Sequence, residues 1–190
     1  MANEQEFEHY CGIDVGTERV RCVIGRAPEK PGDLPRILGC GSAKTFGMRR
    51  GNVVDPVSVA QSIDSALAEA EKVSGVSVDG ATFSVNGQQV KSHSSKGVVT
   101  IDSEAVISGD DLNKAIDAAS VVQLPNNQRM MELIPNGYIV DGQEKTQDPI
   151  GMIGKRLEIE SVIVSYSEIH LKNLEKAITT ANINCNGLQP

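Results

Sequence analysis

No basic block interrupts this sequence: eighteen lysines and arginines stand against twenty-five acidic residues, a net charge of −7. The counterion release that drives non-specific nucleic-acid binding has no evident source, so nucleic acid is not an expected partner. Long apolar runs are absent too, none approaching the ~20 residues of a membrane span. The opening MANEQEFEHY is acidic and polar rather than basic and then apolar, unlike a secretory leader. A cytoplasmic location is expected. No CxxC pair occurs among Cys11, Cys22, Cys40 and Cys185, and His9, His93 and His170 are scattered, so no metal cluster is expected. If the first hairpin turns near Gly16 and Thr17, Cys11 and Cys22 face each other across its strands as reduced, apolar side chains. Internal repeats and low-complexity tracts are also lacking.

What is present is an alternation of strands and helices in a chain long enough for one core or two small ones. Strands are predicted near Tyr10 to Val15, Val20 to Arg26 and Arg36 to Lys44, the last two joined by the turn-rich PEKPGDLP. A helix follows, with Asp55 as N-cap, Pro56 at its first position and a stripe of Val59, Ala60, Ile63, Leu67 and Ala70. ATFSVNG, residues 81 to 87, reads as a fourth strand. From Gln88 the pattern changes to a strand through Gly97 to Ile101, a helix beginning near Ser108 with Asp111 completing a capping box, and a strand around RMMELIPNGYIVDG. RLEIESVIVS closes this section, its second face passing from Glu158 and Glu160 to Val162 and Val164, as if the strand entered a larger core. A helix near Ser167, carrying Leu171, Leu174, Ile178 and Ala181 on one side, and a last strand in INCNGLQP return to the first unit. The predicted class is α/β. Residues 1–87 and 165–190 form one subdomain, and residues 88–164 are an inserted strand-helix-strand-strand α+β subdomain.

CGIDVGTERVRCVIG, residues 11 to 25, admits two readings. It is either a hairpin with a polar tip or a phosphate cradle. In the second, Gly16 takes positive φ and lets backbone N–H groups converge on phosphate oxygens, and the Thr17 hydroxyl adds a donor. Asp14 then holds water on a magnesium ion, and the Arg19 guanidinium suits phosphate. GMRRG, residues 47 to 51, reads equally as an anion site or a glycine-flanked basic turn. GMIGKR lacks the glycine spacing of a Walker loop and the hydroxyl residue after its lysine, so it reads as a loop.

GIDVGTERVRCVIG, GMRRGNVVD, SVNGQQVKSHSSKGVVTI, LIPNGYIVDGQ and DPIGMIGKRLEIE occur in the order found in bacterial FtsA cell-division proteins. From Cys11 to the last strand the chain resembles the N-terminal half of that family. The resemblance implies a partial actin-like, ribonuclease H-like subdomain (1A) with subdomain 1C inserted. It also implies that Asp14, Gly16, Thr17 and Arg19 bind nucleotide phosphate, with magnesium reached from Asp14 through water. Arg19 stands where the family often has lysine, keeping the charge with a different fork and reach.

The resemblance further implies ATP and Mg2+ as cofactors of the full-length protein, FtsZ as a partner through the absent half, and FtsN or other late division proteins as partners through 1C. Self-association into filaments is implied as well, at the inner face of the membrane at the septum, with membrane contact only through a C-terminal helix. One hairpin supplies part of a nucleotide site, so this chain alone is expected to bind Mg-ATP weakly or not at all, and not to act as an enzyme. The alternatives are a fragment of a sugar or acetate kinase, a pilus-assembly actin-like ATPase, and a stand-alone interaction module.

Overall fold

A computed structural model describes residues 9–28, 30, 32–102 and 106–190. The reading of residues 1–8, and of Glu29 and Pro31 within the turn-rich stretch, lies outside the described residues. Contacts divide the chain into two compact units, Met1–Gln89 with Ile169–Pro190, and Val90–Glu168.

In the first unit, β1 (His9–Val15), β2 (Arg19–Arg26) and β3 (Arg36–Lys44) form an antiparallel meander. A small hairpin follows, β4 (Met48–Arg49) and β5 (Asn52–Val53). Its two central residues, Arg50 and Gly51, have φ of 50° and 79°, the left-handed pair of a type I′ turn. α1 (Pro56–Ser74) starts where the sequence predicts. Asp55 accepts a bond from the Val57 N–H at 3.1 Å, and Gly75, at φ 71°, ends the helix with its N–H on the Glu71 carbonyl. β6 (Gly80–Ser84) lies parallel to β1, and the final strand lies parallel to β6, giving five strands with β1 at the centre.

Alternation decides which face is buried. Cys11, Ile13, Val15, Val20, Cys22, Ile24, Ala81 and Phe83 are all buried, together with the α1 stripe. Gly39 and Gly41 let α1 approach: a Cβ on Gly39 would stand 2.6 Å from the Ala70 carbonyl oxygen, and one on Gly41 would overlap the Ala66 carbonyl. On the outer edge of β3, the Ser42 N–H donates to a Glu69 carboxylate oxygen at 2.6 Å.

The predicted face-to-face cysteines are diagonal instead. Residues 16–19 form a four-residue loop that pairs Val15 with Val20, so Cys11 stands opposite Ile24 and Cys22 opposite Ile13. The two sulfurs are 3.5 Å apart, buried and unbridged. Its hydrogen bond to Cys11, together with burial, holds the Cys22 thiol far above its ordinary value, so it stays protonated.

In the second unit, β7 (Val90–Thr100), β8 (Gln128–Val140) and β9 (Arg156–Ser167) form a three-stranded antiparallel sheet with β9 in the middle, and α2 (Gly109–Ser120) packs on it. β7 begins earlier than predicted because its buried face is partly serine. Ser95 is buried, and its hydroxyl donates to the Ala119 carbonyl at the end of α2. Ile101, Ile107, Ala115, Ala119, Tyr138, Val140, Leu157 and Ile159 make the core. The Ser108 N–H and hydroxyl both donate to Asp111 Oδ2, at 3.1 and 2.7 Å, and start α2. The predicted burial of both faces of β9 sets in later than expected: Val162 and Val164 remain half-exposed and alternation continues as far as Ser165, but Ser165 and Tyr166, on opposite faces, are both buried. α3 (Glu168–Thr180) follows directly, with Leu171, Leu174, Ala177 and Ile178 buried, and β10 (Asn184–Gln189) ends the chain with a register shift between Cys185 and Gly187.

The α/β class with an inserted α+β unit agrees with the sequence. The five strands run in the order β10-β6-β1-β2-β3, with parallel pairing on one side of β1 and antiparallel pairing on the other. Among the described residues, no helix is long and apolar enough to cross a membrane.

Candidate functional site

Asp14, on the face of β1 opposite the core, is held from three sides. Ser84 Oγ donates to its Oδ1 at 2.7 Å, Asn86 Nδ2 donates to the same oxygen at 2.9 Å, and Arg21 Nη1 reaches Oδ2 at 3.3 Å. Parallel pairing of β6 with β1 makes this possible, because it brings Ser84 and Asn86 to Asp14 from some seventy residues away. The carboxylate is fixed and half-exposed.

The hairpin tip next to Asp14 is tied to a second turn. The Gly16 N–H closes the loop on the Arg19 carbonyl at 3.2 Å, and Thr17 Oγ1 accepts from the Gly51 N–H at 2.9 Å. The Thr17 oxygen is thereby occupied as acceptor and its own proton is left to donate. Gly51 in turn abuts Gly87: a Cβ on either would lie 3.2–3.3 Å from the Cα of the other, and both have positive φ. Three turns of the first unit, after β1, β4 and β6, therefore meet at one end of the sheet.

The predicted role of Gly16 needs one correction. Its φ is not in the left-handed region, and glycine is required there for space, since a Cβ would stand 2.8 Å from the Arg19 carbonyl oxygen. Arg19 lies along the sheet, its Nε donating to Ser42 Oγ at 2.8 Å. The structure thus groups Asp14, Gly16 and Thr17 at the tip and directs Arg19 across to β3. Sequence reasoning missed Arg21, Ser84, Asn86 and Gly87, and it raised Gly51 only within GMRRG, without its bond to Thr17. The available signal was SVNG after a predicted strand, where Ser84 and Asn86 alternate with core residues.

No group of three or more His, Cys, Asp or Glu side chains that could hold a metal directly occurs among the described residues. One carboxylate with hydroxyl and amide neighbours fits a hydrated magnesium ion, which keeps most of its waters. Two buried side-chain oxygens flanking these turns, Thr45 Oγ1 and Asn52 Oδ1, have no partner among the described residues, which also fits a wet, polar ligand. The VDG stretch at the end of β8 is structural. Asp141 and Gly142 make a left-handed turn, and the Asp141 carboxylate accepts from the Lys155 and Arg156 N–H groups at 3.0 and 2.9 Å.

The family model of the SHS2 domain inserted in FtsA matches residues 87–165. Over most of its length the chain is similar to the N-terminal part of FtsA cell-division proteins. It is 33% identical over 177 residues to cell division protein FtsA of Bacillus subtilis, covering 93% of this chain and 40% of that protein. Against FtsA of Pseudomonas aeruginosa it is 32% identical, covering 94% and 42%. Against that of Escherichia coli it is 25% identical, covering 93% and 41%. The chain thus spans about two-fifths of the length of these curated relatives. A chain of the solved PilM-PilN type IV pilus biogenesis complex is similar in fold, with a TM-score of 0.62, 15% identity, and coverage of 95% of this chain and 46% of that one.

Proposed function

We propose that this FtsA-like chain carries the first phosphate-binding element of an ATP-dependent cell-division adaptor. The observation that carries the reading is the Asp14 carboxylate, fixed by Ser84 and Asn86 beside a tip whose Thr17 hydroxyl has its proton free to donate. In this reading Thr17 donates to a phosphate oxygen and Gly16 keeps the tip clear of side chains, while Arg19, held on Ser42, adds positive charge at a distance rather than a direct contact. Asp14 accepts hydrogen bonds from water on magnesium; its own negative charge keeps it off the phosphates. Bound Mg2+ would neutralise phosphate charge there.

The whole protein, in the same reading, assembles into filaments, ties FtsZ to the inner face of the membrane at the septum, and recruits FtsN or other late division proteins through the inserted lobe. The similarity to FtsA and the open face of the lobe sheet support this role. Its output is assembly rather than hydrolysis.

The test is calorimetric titration of Mg-ATP into the full-length protein and into residues 1–190 alone. We expect tight binding to the former and weak binding to the latter. Asp14→Asn should weaken the full-length protein about tenfold, or about 1.4 kcal/mol, and the loss should shrink when magnesium is chelated. Unchanged affinity in Asp14→Asn would refute the assignment.

A further inference from the structure

We infer that Arg50, at the tip of the β4–β5 hairpin, is a further contact to the nucleotide's polyphosphate. The inference rests on the phosphate reading of the β1–β2 tip.

The cations around that tip are spoken for, with two exceptions. Arg21 pairs with Asp14, Arg19 donates to Ser42, and Lys44 lies over the Phe46 ring with its Nζ 5.4 Å from the centroid. Arg49 and Arg50 are exposed and make no side-chain hydrogen bond or ion pair among the described residues. Arg50 is the nearer of the two to the hydroxyl. Covalent geometry puts the Gly51 nitrogen about 2.4 Å from the Arg50 Cα, and that nitrogen is 2.9 Å from Thr17 Oγ1. The Arg50 backbone therefore lies no more than about 5.3 Å from the hydroxyl, well inside the reach of an extended arginine side chain. A phosphate oxygen held by Thr17 is within range of the guanidinium, whose planar fork matches two such oxygens.

A second observation points the same way. Arg50 has φ of 50°, a left-handed backbone that asparagine or glycine takes more readily. Turn chemistry alone favours another residue here, and a locally unfavourable choice at a ligand-facing turn is the expected mark of function. The Thr17–Gly51 bond and the Gly51–Gly87 contact hold the turn against the tip, so the arginine is carried on a fixed element.

The experiment uses the full-length protein and Mg-ATP, with three variants. Arg50→Asn removes the charge while suiting the turn, so its fold is expected to survive, as circular dichroism and melting would verify. Arg50→Lys restores charge without the fork, and Asp14→Asn reports on the underlying site. We expect Arg50→Asn to weaken binding about tenfold and flatten its salt dependence, and Arg50→Lys to recover part of the loss. Wild-type affinity in Arg50→Asn, with Asp14→Asn weakened, overturns the Arg50 assignment alone. Absence of Mg-ATP binding by the wild type, or wild-type affinity in both Arg50→Asn and Asp14→Asn, overturns the phosphate reading and this inference with it.

Discussion

α1 lies on β3 and α2 lies on β7 by one device, glycine in the strand beneath alanine in the helix, but the opposite faces of the two sheets are built differently. In the first unit Gly39 and Gly41 sit under Ala66 and Ala70; in the second, Gly97 sits under Ala115 and Ala119. Removing a side chain from the strand brings the helix backbone close enough for small residues to fill the gap without voids. On the opposite face, the first unit carries short polar side chains locked together around Asp14. The second carries a glutamate, Glu160, gripped by the long side chains of Lys96 at 2.8 Å and Lys145 at 3.0 Å, with Val98 and Ile134 exposed nearby. A face of short, cross-bonded groups fixes atoms in place, as a ligand site requires. A face of long cations beside valines and isoleucines can adapt, as a contact surface requires.

The largest effect should come from filling the shared gap. Gly41→Ala and Gly97→Ala should each destabilise by about 2–3 kcal/mol through overpacking. Hydrogen exchange should locate the damage. Gly41→Ala should raise exchange in β1 to β3 and spare β7 to β9, with the reverse for Gly97→Ala. Equal spread from either substitution would mean that the two units do not open separately.

A smaller effect should distinguish the units by their buried serine. Ser95→Ala leaves the Ala119 carbonyl at the end of α2 without its partner and should lower stability by about 1–2 kcal/mol in denaturant titration. α1, closed by Gly75 and a backbone bond, has no such dependence on a strand hydroxyl.

The smallest effect should be electrostatic and confined to the lobe. The Lys96 and then the Lys145 ammonium groups hold the Glu160 carboxyl down at about 2, below its ordinary 4.5. A lowered folded value means that its contribution is fully present above about pH 4.5 and is lost as pH falls towards about 2. Acid unfolding of Glu160→Gln followed over that window should show a flatter slope. The difference should fade with added salt, because the group is at the surface.

Much of the architecture was legible because its signals are local. Asp55 and Pro56 announce α1, Ser108 and Asp111 announce α2, and the alternation of Ile13, Val15, Val20 and Cys22 marks the first hairpin's buried face. The rest depended on facts that no window of sequence contains. The first half of β7 reads as polar because Ser95 is satisfied by a helix carbonyl rather than by apolar packing. The diagonal cysteines follow from two extra residues in the loop, which move each strand's partner along by one alternation. Two-residue strands such as β4 and β5 are too short to show a period. Asp14 could be singled out from its own motif, yet its partners Ser84 and Asn86 arrive through parallel strand pairing across the sheet.

The carboxylate of Glu69 on the Ser42 amide has a meaning for solubility. An edge strand is a template onto which another chain can crystallise a strand of its own. At β3 an incoming backbone must first evict a helix-borne anion from the amide it seeks, and would leave that anion facing its own carbonyls. At β10 the shifted register between Cys185 and Gly187 spoils the straight ladder such growth requires. Each edge of the five-stranded sheet is thus guarded against fibre-like stacking, one by charge and the other by shape.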